Sequence, residues 1–209
     1  MTGPLVDETI VRMNVNGVSA HAWRCTPMDL EALAIGRLFI DGVIASADEV
    51  HLIISGSGTS EVTIDARIEA RATIIPAPRR QLPIPDTEIF TEMFRLLFST
   101  VDARHEHGGM HAAAATDGRG IIVQVEDVGR HNTIDKITGA LLLARLSPAA
   151  HGLLTSSRVS GEIADKSARA GFAWLASRSL PTTLAVSFAR AAHMPIIGRA
   201  AGRNAFVYQ

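Results

Sequence analysis

Between Val11 and Trp23 the chain alternates apolar and polar residues on both sides of Asn16-Gly17. The period of two predicts a pair of strands, and Asn-Gly predicts a tight hairpin turn between them. The segment TPMDLEALAIGRLFIDGVI then changes period. Leu30, Leu33, Ala34 and Leu38 recur at helical spacing, with Thr26 placed as an N-cap and Pro27 at the first helical position. HLIISG and EVTIDARIEARATII predict two further strands joined by the small-residue loop Ser55–Ser60. PAPRRQLPIPD follows, with four prolines in eleven residues, and predicts a domain boundary. The resulting division is a small mixed α+β domain over 1–77, a proline-rich linker over 78–85 and a larger α/β domain over 86–209.

Past the boundary a helix (TEIFTEMFRLLFS) precedes strands at HAAAATD and GIIVQVEDVG. Helices and strands then alternate through NTIDKITGALLLARL, GLLTSS, SGEIADKSARAGF, AWLASR, PTTLAVSFARAAH and PIIGRA. Strands spaced by helices of this length predict crossover units and a largely parallel sheet with helices on both faces. The terminal FVY is expected to add an edge strand.

Composition narrows the function classes. The chain of 209 residues is 47% hydrophobic and 20% charged, enough apolar material for a core. Its formal charge of −1 gives no general attraction to nucleic acid or to an anionic membrane, so any site for a polyanion must be local. The start, MTGPLVDETI, has neither the basic nor the apolar region of a secretory signal. The longest apolar run, around Leu141–Leu146, is broken by Arg145 and is too short to span a bilayer. The chain reads as a soluble cytoplasmic protein. Cys25 is its single cysteine, which excludes an internal disulfide.

Candidate chemistry gathers where strands hand over to helices. In open α/β sheets, ligands collect at the carboxyl ends of strands, where helix N-termini present amide N–H groups. Four junctions here each supply arginine beside Ser, Asn or Gly: Val128–Asn132, Arg158–Ser160, Arg178–Pro181 and Arg199–Asn204. Any one of them reads as a capped surface turn. Four arginines at equivalent places favour a cradle for a phosphorylated ligand, because the guanidinium fork suits phosphate oxygens. In EDVGRHNTIDK, the densest polar stretch, Asn132 is expected to cap a helix, and Asp135 and Lys136 to line its exposed face. His105, His107 and His111 invite a metal reading, but no cysteine pair or paired carboxylate accompanies them, so loop histidines without a metal are the expectation.

EDVGRHNTIDKITG closely resembles the signature of the formate dehydrogenase accessory (sulfur-carrier) protein family, the FdhD/NarQ family. GGMHAAA, SSRVSGEIADKSARAG, SRSLPTTLAV and TPMDLEALAIGRLFIDGVI resemble further blocks of that family in the same order, so the resemblance covers nearly the whole chain. It implies a three-layer α/β/α, cytidine deaminase-like C-terminal domain. It also implies a function: carrying persulfide sulfur from a cysteine desulfurase to the bis-molybdopterin guanine dinucleotide form of the molybdenum cofactor, before that cofactor enters the formate dehydrogenase apoenzyme. A homodimer is compatible with it. That cofactor suits the arginine-lined junctions, so the expected cofactor-binding residues are Arg130, His131, Asn132, Ser157, Arg158, Ser160, Arg178 and Ser179, together with Arg199, Ala200, Ala201, Gly202, Arg203 and Asn204, which correspond to the family's C-terminal cofactor-binding segment. Two departures stand out. Arg199 through Asn204 lacks the family's aromatic-and-arginine pattern. Counting back from Ile64-Asp65-Ala66 places the family's CxxC on Gly56 and Thr59, and neither residue can hold a persulfide. Cys25 is the remaining catalytic candidate, and a buried structural thiol is its favoured reading. The alternative function is a cofactor-binding chaperone without sulfur transfer. A deaminase is excluded: His111 is followed by Ala112-Ala113 where H-x-E is required, and a P-C-x-x-C pair is missing.

Overall fold

The alternation of period two is realised in two strands, β1 (Thr9–Val15) and β2 (Val18–Cys25), whose turn residues Asn16 and Gly17 both have positive φ, 49° and 81°. That is the primed geometry that matches the twist of a hairpin. Residues 5–56, 61–69, 81–99, 109–202 and 204–209 are described by the computed structural model. β3 (Val50–Ser55) and β4 (Val62–Ile68) complete a four-stranded sheet in the order β2-β1-β4-β3, with β1 and β4 parallel and the outer pairs antiparallel. Buried Val11, Met13, Val62 and Ile64 form the inner face of this sheet, against which helix α1 (Leu30–Ile40) packs. The expected extension of β4 into ATII and residues 78–80 of the linker lie outside the described residues.

α1 begins later than its sequence suggests. Its cap position is Asp29, in a left-handed conformation, and not Thr26. Thr26 has tertiary partners instead: its hydroxyl accepts the Val128 N–H at 3.1 Å and its own N–H donates to Asp127 at 3.2 Å. At the other end Gly42, at φ 74°, closes the helix: its N–H donates to the Phe39 carbonyl and that of Val43 to the Leu38 carbonyl, both at 2.9 Å. This paired pattern is a Schellman ending.

The second sheet has six strands in the order β10-β9-β8-β7-β5-β6. They are β5 (His111–Thr116), β6 (Ile121–Asp127), β7 (Gly152–Thr155), β8 (Leu175–Ser177), β9 (Ile196–Gly198) and β10 (Phe206–Tyr208). The expected largely parallel sheet is corrected to a mixed one. Only β7-β8 and β8-β9 pair in parallel; β5-β6, β5-β7 and β9-β10 are antiparallel. The cause is local. Four residues, Asp117–Gly120, link β5 to β6, which is hairpin length and too short for a crossover helix. The terminal FVY does form the edge strand, against β9.

Helix α2 (Thr87–Ser99) buries Phe90, Met93, Phe94 and Leu97 against one face of this sheet, meeting Ala112, Ala114, Leu154, Ala176 and Ile197. The opposite face carries α3 (Arg130–Leu143), α4 (Gly161–Ala170) and α5 (Thr183–Ala191), whose Ile134, Ile137, Ile163 and Ala185 meet Ala113, Ala115, Leu153, Leu175 and Ile196. The four alanines of β5 leave room on both sides, so each side's helices pack close to the sheet.

α1 and α3 join the two sheets. They cross at Gly36 and Gly139, where a Cβ on Gly36 would lie 1.8 Å from the Asp135 carbonyl oxygen and one on Gly139 1.9 Å from that of Ala32. Only glycine allows the backbones to touch in this way.

Candidate functional site

The β6–α3 turn, the densest polar segment of the sequence, is mostly a structural clasp. Asp127 is fully buried. One of its oxygens accepts from the Gly129 N–H at 2.7 Å and Asn132 Nδ2 at 2.9 Å. The other accepts from Thr26 N–H and lies 2.7 Å from Lys136 Nζ. Lys136 also donates to the carbonyls of Thr26 and Glu126 at 3.2 Å, and Asn132 donates to the Arg24 carbonyl at 2.8 Å. Asn132 is therefore not the helix cap, a position that Gly129 occupies; it ties β2 to the turn. Lys136 and Asp135 do not line an exposed face. Both are fully buried, and Asp135 pairs with Lys166 of α4 at 2.8 Å.

The direction of the strands places the four predicted junctions together. β6 and β7 both run antiparallel to β5, and β8 and β9 run parallel to β7, so β6, β7, β8 and β9 all end on one edge. Hydroxyl groups knit that edge. Thr155 and Ser157 hydroxyls lie 3.0 Å apart, Ser177 Oγ donates to the Ser157 carbonyl at 2.7 Å, and the Ser179 N–H donates to Ser177 Oγ at 3.0 Å. The backbone continues the ladder: Arg199 N–H donates to the Ser179 carbonyl at 3.1 Å and Ala200 N–H to that of Ser177 at 2.9 Å. Ser157 and Ser177 are buried, so their role is to fix the loops rather than to face a ligand.

On this frame Arg178, Arg199, Ala201, Gly202 and Asn204 line one polar depression of about 330 Å³. Arg178 also borders a neighbouring depression of about 440 Å³ with Phe98, Met110, His111, Ser156 and Ser179. The Arg178 guanidinium sits 4.9 Å from the centre of the Phe98 ring. Arg199 stands at φ 52°, a left-handed conformation unfavourable for a residue with a Cβ. Ala200 is buried beneath the loop, and Arg203 lies outside the described residues. Arg130 and Arg158 occupy the same edge but line neither depression. Arg158 is exposed; Arg130 is half-buried at the start of α3, with an Nε that has no hydrogen-bond partner among the described residues. Ser160 caps α4 with its backbone alone, and its buried hydroxyl is likewise unpartnered there. His131 approaches Glu162 of α4 at 3.3 Å, and burial holds its pKa below the usual value, so the ring is mostly neutral at pH 7. Phe98, His111 and Ser156 escape the junction rule because they lie at a helix end, a strand start and a half-buried bend.

Cys25 ends β2 inside the core of the smaller sheet and is fully buried. Burial first, then the nearby Asp127 carboxylate, pushes its thiol up to about 12. Burial and a raised pKa both disfavour the thiolate that a sulfur-accepting nucleophile requires. Gly56 has φ 97°, and a Cβ there would lie 2.7 Å from the Glu61 carbonyl oxygen, while Thr59 lies outside the described residues. Among the described residues no three His, Cys, Asp or Glu side chains converge on a point that could hold a metal ion, and no helix is long and apolar enough to cross a membrane. His105 and His107 lie outside the described residues.

These features define a mixed α/β protein whose larger sheet gathers arginines at one carboxyl edge. The chain belongs to the FdhD/NarQ family, whose model matches residues 52–209. It is 31% identical to a sulfur carrier protein FdhD from Burkholderia mallei, over 90% of this chain and 81% of that protein. A protein of the same name from Xanthomonas euvesicatoria is 33% identical over 92% of this chain and 79% of its own length. One from Bordetella petrii is 31% identical over 98% and 84%. The alignments with the Burkholderia and Bordetella proteins run to 224 and 235 positions, more than the 209 residues of this chain, so those relatives carry segments that it lacks. The fold is similar to that of a crystal structure of a formate dehydrogenase accessory protein from Desulfotalea psychrophila, at a TM-score of 0.80 and 24% identity, covering 97% of this chain and 86% of that one.

Proposed function

We propose that this chain is an accessory protein of formate dehydrogenase maturation, and that its share of the sulfur-carrier task is to hold the molybdenum cofactor in its bis-guanine-dinucleotide form. The observation that carries this reading is the convergence of Arg178 and Arg199 with Gly202 and Asn204 around one polar depression at the ends of β8 and β9. The cofactor is cargo, and its pyrophosphates suit that donor set. Guanidinium groups make charge-assisted, bidentate contacts with phosphate oxygens, and Gly202 lets the backbone approach closely. The strained backbone of Arg199 supports the same reading, since strain of this kind gathers at binding sites. The helices on both faces of the six-stranded sheet are the arrangement in which a cytidine deaminase-like layering is proposed.

The sulfur step is where this chain differs from the function its relatives' names give them. A CxxC needs two cysteines and the chain has one, buried and protonated. That observation favours the reading in which the chain binds the cofactor while a cysteine desulfurase or another partner holds the persulfide. The formate dehydrogenase apoenzyme is the proposed recipient, in the cytoplasm, and self-association as a homodimer belongs to the same proposal.

Arg199→Gly tests the site. Glycine relieves the left-handed strain, so stability is expected to stay level or rise by up to about 1 kcal/mol. Removing the guanidinium is expected to weaken binding of GDP, a stand-in for half of the cofactor, by roughly 10- to 150-fold, the loss of a hydrogen bond to a charged group. Calorimetric titration beside urea unfolding reads both. Unchanged GDP affinity would sink the site.

A further inference from the structure

Resting on the cofactor reading, we infer that Phe98 is a positioning residue for the diphosphate, acting through Arg178. Among the described residues the two depressions on the carboxyl edge share one side chain, Arg178, which borders both. Arginine is the side chain with most to lose from being unrestrained, because a long stem must be ordered before its fork can meet a phosphate. Arg178 lies on the exposed surface after β8, and it makes no ion pair among the described residues. Its guanidinium is instead held 4.9 Å from the centre of the Phe98 ring.

Phe98 is well built for that task. It sits in the last turn of α2, whose buried Phe94 and Leu97 anchor the helix to the sheet face, and its own ring packs against the edge of the same core. A half-buried ring on a fixed helix gives a platform with little freedom of its own. A guanidinium over a ring face is attracted to the ring as a whole and spends no N–H group on a fixed acceptor there, so its donors stay available to a phosphate. The loop Ser177-Arg178-Ser179 is fixed from below by the Ser177 and Ser179 hydrogen bonds, so the stem and the head of Arg178 are each held by a separate device. The ligand class that uses such a clamp carries two adjacent anionic groups, one for Arg178 and one for Arg199 across the first depression. A nucleoside diphosphate fits this description.

The test is a double-mutant cycle read by calorimetric titration of the full chain with inorganic pyrophosphate and with GDP. Phe98→Leu keeps apolar bulk at the helix end and removes the ring face. It is expected to weaken both ligands by roughly two- to five-fold, the range of an exposed cation–π contact. Phe98→Tyr is expected to bind like the parent. Arg178→Ala should weaken binding by about ten-fold or more, and Phe98→Leu added to it should change nothing further. Phe98→Met is the second variant should the leucine form fail to fold. Equal weakening by Phe98→Leu in both the parent and the Arg178→Ala background would overturn the inference, since Phe98 would then act by itself. So would a Phe98→Leu protein that binds like the parent. A parent that binds neither pyrophosphate nor GDP would instead sink the cofactor reading, and this inference with it.

Discussion

Asp127 shows how one residue sets the meaning of its neighbours. A carboxylate buried without partners would be costly, and here it is matched by Lys136, two backbone amides and the Asn132 amide. The residue types that suggest a ligand site in EDVGRHNTIDK are the same types that satisfy a buried carboxylate, so the sequence does not separate the two. Asp135 is a different case. One of its oxygens takes Lys166 and the other has no hydrogen-bond partner among the described residues. Burial raises its carboxyl to about 6, with Lys166 pulling the other way. In an unfolded chain such a group titrates near pH ~4. The fold therefore binds this proton more tightly than the unfolded chain does. The stabilisation is fully present below about pH 4 and is lost as pH rises through 6. Between those limits the parent is expected to lose on the order of 2–3 kcal/mol relative to Asp135→Asn. Urea unfolding at a series of pH values reads the difference, and parallel curves for the two proteins would refute the assignment.

At the scale of elements, the helix crossing between α1 and α3 holds the two sheets together. A methyl group at Gly139 would meet the Ala32 backbone, which cannot swing away as a side chain tip would. Gly139→Ala is expected to destabilise the protein by about 3 kcal/mol or more, beyond the usual range for overpacking. Gly120→Ala, where an added Cβ meets nothing within 4 Å, should stay within about 0.5 kcal/mol of the parent. Equal stability of the two variants in urea would contradict the crossing. The elements with one buried face were legible in the sequence. The β1–β2 hairpin follows its period of two and its Asn-Gly turn, and α2 runs over the same TEIFTEMFRLLFS that its periodicity marks. α3 was legible as a helix but not in its orientation, because α1 covers the side away from the sheet and both sides are buried. Its charged residues looked solvated for want of any sign, within the segment, of the partners at Thr26, Asp127 and Lys166. The cap of α1 was misread for the same reason: the Thr26 hydroxyl is engaged by the distant Val128 N–H, and the helix starts after Asp29.

For the molecule as a whole, the order of strands matters more than their number. Helix–strand alternation predicts parallel pairing, and it holds only across β7, β8 and β9; the β5–β6 hairpin makes the sheet mixed. Yet because two reversals restore direction, β6 still ends on the same edge as β7, β8 and β9. The junction rule thus brings its four arginine loops to one edge despite an incomplete topology, while the division of that edge into two depressions, and the part proposed for Phe98, depends on α2 reaching around from the other face. We propose that this chain carries cofactor at that edge and no sulfur on its own cysteine. Native mass spectrometry of the protein purified from cells that make the molybdenum cofactor tests both parts in one spectrum. A guanine-dinucleotide species is expected on the parent and not on Arg178→Ala, with Cys25 at the mass of an unmodified thiol. A parent that carries a persulfide on Cys25 and no nucleotide would contradict it.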